Sequence, residues 1–288
     1  MGAEFTFQDS DLFRHGDNLV ISGAFTGHIA DRRVSEIPDD ATGKGTHVLG
    51  RIAYKLWSDR VSSVQIGGSF ARILTVGGAE PGLAGGVSLE DRPEIRIVGD
   101  PLVSTRSLPA KGGALWGLEA AANFGSLYFG GELYRFGLDR DTECSGCIDA
   151  ADPDFSGWYV EGSWILSGEA KVYQPSAMNN GMATFTNPRV ARPFPLDGWG
   201  AWEIAARYSD LDLNWSPGTA DAPCGGASAG CVRGGDQQIW TFGLNWYLSD
   251  SVRLLFDVLF VDVDKLDSSG IQIGQAFSVV GTRLQFTN

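Results

Sequence analysis

Long apolar runs are missing from this chain. The longest, 252–263, is broken by Arg253, Asp257 and Asp262, and nothing approaches the roughly 18 continuous apolar residues of a membrane-spanning helix. Any crossing of a membrane must therefore be made by strands. Basic charge is also short: 22 Lys and Arg stand against 35 Asp and Glu, a net charge of −13. That balance argues against nucleic acid, which wants a basic face. Histidine is scarce, with only His15, His28 and His47, and neither a GxSxG elbow nor an HExxH pair occurs. No catalytic constellation can be assembled from what is left, so no enzyme is expected. The glycine-rich runs 77–86 and 225–235 precede no helical pattern and read as loops, not phosphate cradles; no cofactor is implied. The start, MGAEFTFQDSDLF, lacks a basic end followed by an apolar core, so the chain reads as mature or truncated.

Cysteine is limited to two close pairs, Cys144 with Cys147 and Cys224 with Cys231, in Gly-, Asp- and Ser-rich surroundings. Disulfides in an oxidising compartment suit them. Zinc suits them less, because the second spacing is not CxxC and no histidine is near. Acids gather at Asp139, Asp141, Glu143, Asp149, Asp152 and Asp154. They read as a solvated loop, with a divalent-cation bridge to lipopolysaccharide phosphates as the sharper alternative.

What the chain has in quantity is glycine, 39 residues, together with 11% aromatics and only 20% charged residues. These suit many short-turned strands with aromatics at interfaces. Alternation with period two runs from end to end. In GAWEIAARYS, Trp202, Ile204, Ala206 and Tyr208 oppose Glu203, Ala205 and Arg207. In IWTFGLNWYL, Trp240, Phe242, Leu244 and Trp246 oppose Thr241, Gly243 and Asn245. In VRLLFDVLFV, Val252, Leu254, Phe256, Val258 and Phe260 oppose Arg253, Leu255, Asp257, Leu259 and Val261. A soluble β-sandwich binding module also alternates, but its strands run about 5–6 residues. These segments run about ten, the length of a tilted strand crossing a bilayer. Trp57, Trp158, Trp164, Trp199, Trp202, Trp246 and Tyr247 cluster toward segment ends, as an aromatic girdle does.

The fold class this predicts is all-β: one transmembrane antiparallel β-barrel over 1–288. Tight turns at 57–60, 124–126 and 248–251 alternate with long polar links at 30–46, 77–91, 138–156, 214–237 and 265–275, as periplasmic turns alternate with outer loops. Twelve strands follow, starting near Asn18, Thr46, Ser62, Asp91, Leu102, Leu115, Leu127, Gly157, Gly200, Gln238, Val252 and Ala276. The link 167–197 is periplasmic by parity yet about thirty residues long, and long links of this kind are functional or disordered. Carrying Lys171, Arg189 and Arg192, it is expected to fold into the lumen as a constriction, against the alternative of a periplasmic tether.

Alternation points Arg51, Lys55, Arg96, Arg106, Arg207, Arg253 and Arg283 inward, with Glu94, Glu119, Glu132, Glu161, Glu203 and Asp257. Seven basic against six acidic positions favours cross-strand pairing in a water-filled lumen. A basic track for anions is the sharper reading.

The segments DRPEIRI, WGLEAAANFG, FSGWYVEGSWILSGE, GWGAWEIAARYSDLDLN and QQIWTFGLNWYLSDSVRLLFDVLFVDVDK resemble the C-terminal part of the phosphate-selective porin O and P family. The likeness is spread over nearly the whole chain. Family members are sixteen-stranded trimeric porins, so the resemblance implies the bacterial outer membrane and a passive pore narrowed by inward segments. It also implies a homotrimer, with outer-membrane lipid, lipopolysaccharide and small anions such as phosphate as partners. Twelve strands against sixteen implies a fragment or an unusually small barrel. Family chains end on an aromatic residue, whereas here Phe286 is followed by Thr287 and Asn288.

Overall fold

Alternating residues become a ladder of long antiparallel strands. The computed structural model describes residues 2–27, 45–77, 86–94, 100–143, 149–175, 183–196, 198–216 and 230–287. Its long strands are β1 (Ala3–Ser10), β2 (Asn18–Gly27), β3 (Thr46–Ser58), β4 (Ser62–Thr75), β8 (Leu108–Phe124), β9 (Leu127–Arg140), β10 (Asp154–Ile165), β13 (Ala201–Trp215), β14 (Val232–Ser249), β15 (Val252–Asp264) and β16 (Ala276–Phe286). Five short ones lie between: β5 (Gly86–Val87), β6 (Glu90–Asp91), β7 (Val103–Ser104), β11 (Lys171–Gln174) and β12 (Thr184–Pro188).

Each long strand pairs with the next long strand in the chain, and β5 adds to the end of β8. β6 pairs with β7, and β11 with β12, as separate two-stranded ladders. Turns on one rim are tight. Asp59 accepts the N–H groups of Val61 and Ser62 at 2.9 and 2.7 Å between β3 and β4. Gly125, at φ 58°, supplies the left-handed residue between β8 and β9, a conformation glycine adopts without strain. Between β1 and β2, Asp17 accepts from the N–H groups of Leu12, Phe13 and Arg14 and from the Tyr54 hydroxyl.

The sheet is curled. Eleven strands laid flat would span about 50 Å, yet the small β11–β12 hairpin touches widely separated ones. Arg51 of β3 donates to Ala183 O beside β12, and Arg253 of β15 donates to Asn187 of β12. Only a sheet rolled around the hairpin allows both. β1 and β16 pair on one side only among the described residues, so the roll is consistent with a barrel wall but is open along that seam.

The two faces are inverted relative to a soluble sandwich. Large apolar side chains stand exposed on the convex face: Ile52, Phe70, Leu118, Phe129, Val160, Trp240, Phe242 and Phe260 among them. The concave face carries the charges. Near the rim opposite the tight turns it becomes apolar, where Leu213, Val232, Ile239, Leu259, Val261 and Val263 pack under Val103, with Leu89 and Leu102 against the cluster. The β4–β8 connection thus folds inward and covers that patch.

Two sequence expectations fail here. Among the described residues, the stretches starting near Asp91 and Leu102 hold β6 and β7, two residues each, and not membrane-length strands; residues 95–99 lie outside the described ones. Pro93, Pro101 and Pro109 punctuate this region, and proline removes a ladder donor and favours edges or breaks. Conversely, β1 was not expected, although Phe5 and Phe7 alternate with Thr6 and Gln8. Removing two strands together leaves the parity of the rest intact, which is why the other ten survive.

Candidate functional site

Inside the roll, two segments converge from opposite ends. From the rim of tight turns β11 and β12 enter. Lys171 Nζ lies 2.8 Å from the buried Glu203 carboxylate and 5.1 Å above the Tyr128 ring. From the opposite rim the β4–β8 connection brings Glu94 to Arg207 at 2.8 Å and to the Thr241 hydroxyl at 2.6 Å. Between them lies a cavity of about 190 Å³ lined by Lys171, Asn187, Glu203, Arg207, Arg253 and Asp257, with Glu161, Tyr128, Asn245 and Tyr247.

Most charges in this ring are matched. Arg51 donates to both oxygens of Glu119, through Nε at 3.0 Å, and Gln65 adds a further bond to Glu119 at 3.0 Å. The pair fits because residue 67, opposite Glu119, is glycine: a Cβ there would come within 2.5 Å of the carboxylate. Glu132 faces Glu119 across the β8–β9 ladder and hydrogen-bonds Tyr159. Arg207 also meets Glu161 at 3.3 Å and lies 3.7 Å over the Tyr159 ring. Glu203 accepts from Tyr247 at 2.6 Å and Asn245 at 3.0 Å besides Lys171.

Two cations stand apart. Among the described residues no carboxylate lies within ion-pair distance of Arg253, which donates to the Gln285 amide oxygen at 2.9 and 3.2 Å and to Asn187 at 2.8 Å. Lys55 sits 5.0 Å over the Tyr173 ring. Asp257, across from Gly243 in the β14–β15 ladder, feels Arg283 of the edge strand β16; Arg283 itself is exposed.

Other expected positions lie elsewhere. Arg106 is not on a wall strand: it is exposed, at φ 56°, on the in-folded connection. It stands near Lys265, whose ammonium is held below its usual range by burial and then by Arg106. Arg189 and Arg192 are exposed beyond the hairpin, not on it. Arg96, Cys144, Cys147 and Cys224 lie outside the described residues, while Cys231 is disulfide-bonded. Of the acid run, Asp139 pairs with Arg72, Asp154 with Arg135, and Asp152 accepts the Arg140 N–H, so much of it serves the strand ends. Tyr128, Tyr159 and Gln285 carry no charge to mark them, although each shares the parity of its charged neighbours. Tyr247, expected in the aromatic girdle, is instead buried on the inner face against Glu203, where its parity with Asn245 puts it. Asn187 had no such signal.

Comparison with known proteins agrees with this geometry. The family model described as phosphate-selective porin O and P matches residues 24–287. An uncharacterized protein of Caulobacter vibrioides is 27% identical over 168 residues, 58% of this chain and 28% of that protein. Porin O of Pseudomonas aeruginosa is 26% identical over 180 residues, 61% of this chain and 35% of that protein. The chain thus spans about a third of the length of these curated relatives. A match across nearly all its strands, over a curled sheet with an apolar outside and a charged inside, makes this chain a member of the phosphate-selective porin O and P family, outer-membrane porins of Gram-negative bacteria.

Proposed function

We propose that this chain is the wall of a single barrel domain through which small hydrophilic solutes diffuse passively, with a weak preference for anions, phosphate included. The observation that carries the preference is Arg253: a guanidinium facing the central cavity and held, among the described residues, by neutral partners, the Gln285 and Asn187 amides and the Tyr247 phenol. Such a group keeps its charge available to a passing oxyanion, which it binds through paired N–H donors. The neighbouring cations Arg51, Lys171 and Arg207 already meet carboxylates, so the preference is weak. The −13 of the whole chain counts little here, because loop acids farther than a Debye length of about 8 Å are screened from the waist.

The β11–β12 hairpin and the Glu94 segment are the constriction in this reading, and Arg189 lies at its periplasmic mouth. Closing the pore requires the free edges of β1 and β16 to be paired, with each other or with further strands. Lipopolysaccharide and phospholipid against the convex face, and two further copies in a homotrimer, complete the expected surroundings. A soluble sandwich does not suit a convex face with Trp240, Phe242 and Phe260 exposed.

The test is the reversal potential across a KCl gradient in planar bilayers, for the wild type and Arg253→Gln. An anion-selective wild type and a variant shifted toward neutrality are expected. A cation-selective wild type, or an unshifted variant, would refute the preference; absence of conductance would refute the pore.

A further inference from the structure

The connection between β10 and β13 divides at Val190. Before it, β11 and β12 go inward. Val190 itself is buried with Ile165, Ala201 and Tyr247 at the periplasmic end of the concave face, and its N–H donates to Asp250 at 2.7 Å. Beyond it the chain passes beneath the rim to the other face. The Phe194 N–H donates to Leu248 O at 2.8 Å, and the Phe194 ring meets Trp246 at 5.3 Å and Trp199 at 6.1 Å. The Trp246 indole donates to Trp199 O at 2.6 Å and stacks on Trp202 at 5.0 Å. Trp246 belongs to the convex face, in line with Leu244, Phe242 and Trp240 along β14.

This outward half carries side chains that water does not favour. Leu196 is 83% exposed and Trp199 74%, and both continue the apolar convex face past its periplasmic end. Arg192 is exposed beside them. Its stem packs so closely on Gly198 that a Cβ there would lie 2.7 Å from Arg192 Cβ. Among the described residues Arg192 makes no ion pair. Exposed tryptophan and leucine beside an unpaired arginine fit the headgroup level of a bilayer, where an indole spans apolar and wet zones and a guanidinium grips phosphate.

We propose that Phe194, Leu196 and Trp199 form a foot seated in the periplasmic leaflet of the outer membrane, with Arg192 on a phospholipid phosphate. The foot rests on the membrane-pore reading above. One long connection then does two jobs: its first half narrows the lumen, and its second half fixes the depth of the wall in the bilayer and anchors the root of the hairpin.

The test uses the full chain folded into vesicles of phosphatidylcholine with phosphatidylglycerol, brominated either near the headgroup or near the chain terminus. Comparing wild type with Trp199→Phe isolates the Trp199 emission, and Trp240→Phe does the same for the convex face. Shallow bromine should quench Trp199 at least twofold more than deep bromine does. Trp199 quenched by aqueous acrylamide but not by lipid, with Trp240 still quenched by lipid, overturns the foot alone. Neither tryptophan quenched by lipid overturns the membrane reading with it. For the arginine, native mass spectrometry should find at least threefold more retained phosphatidylglycerol on the wild type than on Arg192→Gln; equal retention overturns the phosphate contact.

Discussion

Placing arginine at two adjacent positions of β14 tests which face meets lipid. Leu244 lies on the convex face, 36% exposed, with Ile204 and Phe256 as its cross-strand neighbours. It sits between Trp246, near the tight-turn end of β14, and Trp240, which meets Tyr208 at 4.8 Å. With about 3.3 Å of rise per residue and a tilt near 40°, Leu244 stands about 5 Å from Trp246 and about 10 Å from Trp240 along the membrane normal, inside an apolar band about 25 Å tall. Leu244→Arg should therefore carry a large part of the midplane penalty of about 2–4 kcal/mol, which at its full size is a roughly 30- to 700-fold loss in the folding equilibrium constant. Gly243 is one residue away but faces the cavity, and a Cβ there comes within 3.0 Å of the Asp257 carboxylate. An arginine at 243 stays in water, finds that acid as a partner, and should cost well under half as much while lowering conductance. Urea titration of folding in lipid vesicles measures both. Equal costs, or a Leu244→Arg penalty below about 1 kcal/mol, would refute the assignment of faces.

Glu203→Ala removes the acceptor of Lys171, Tyr247 and Asn245, and stranding one partner of a buried pair costs about 3–5 kcal/mol. The β11–β12 hairpin should loosen, seen as faster proteolysis from the periplasmic side and higher conductance; unchanged proteolysis would contradict its anchoring role. Asp59, in the β3–β4 turn, is held below the ordinary carboxylate value of 3.8 chiefly by the Val61 N–H, against the opposing effect of burial and with help from its bonds to Ser62. A depressed folded-state pKa means stability present above 3.8 and lost as pH falls further. Wild type should therefore exceed Asp59→Ala in stability at neutral pH, with the gap closing in acid, and a gap that widens in acid would contradict the turn's geometry.

The sequence by itself determined the strands and their faces. Period-two alternation is a local property of consecutive side chains on a pleated strand, so β13, β14 and β15 and the parity of Arg207, Glu203 and Arg253 were legible without any contact being known. Tight turns and long links fixed strand direction for the same reason. Where alternation is weak the pattern misleads: the proline-punctuated residues near Asp91 and Leu102 hold only the two-residue β6 and β7 among the described residues, and the short β1 carries too few alternating side chains to stand out.

Only the tertiary structure decided what fills the inside. A strand pattern says which side a residue faces but not what lies opposite it at a distance. The apolar inner patch at Ile239, Leu259 and Val261 reads as neither lumen nor lipid until the β4–β8 connection is seen to cover it. Pairings such as Arg51 with Glu119, Lys171 with Glu203, and Glu94 with Arg207 join residues far apart in the chain, and their distances follow from how tightly the sheet curls. The division of the β10–β13 connection into an inward hairpin and an outward foot has the same origin. Lys171 and Arg192 belong to one polar, proline-rich stretch of sequence, and only the rim between them separates an inward residue from an outward one.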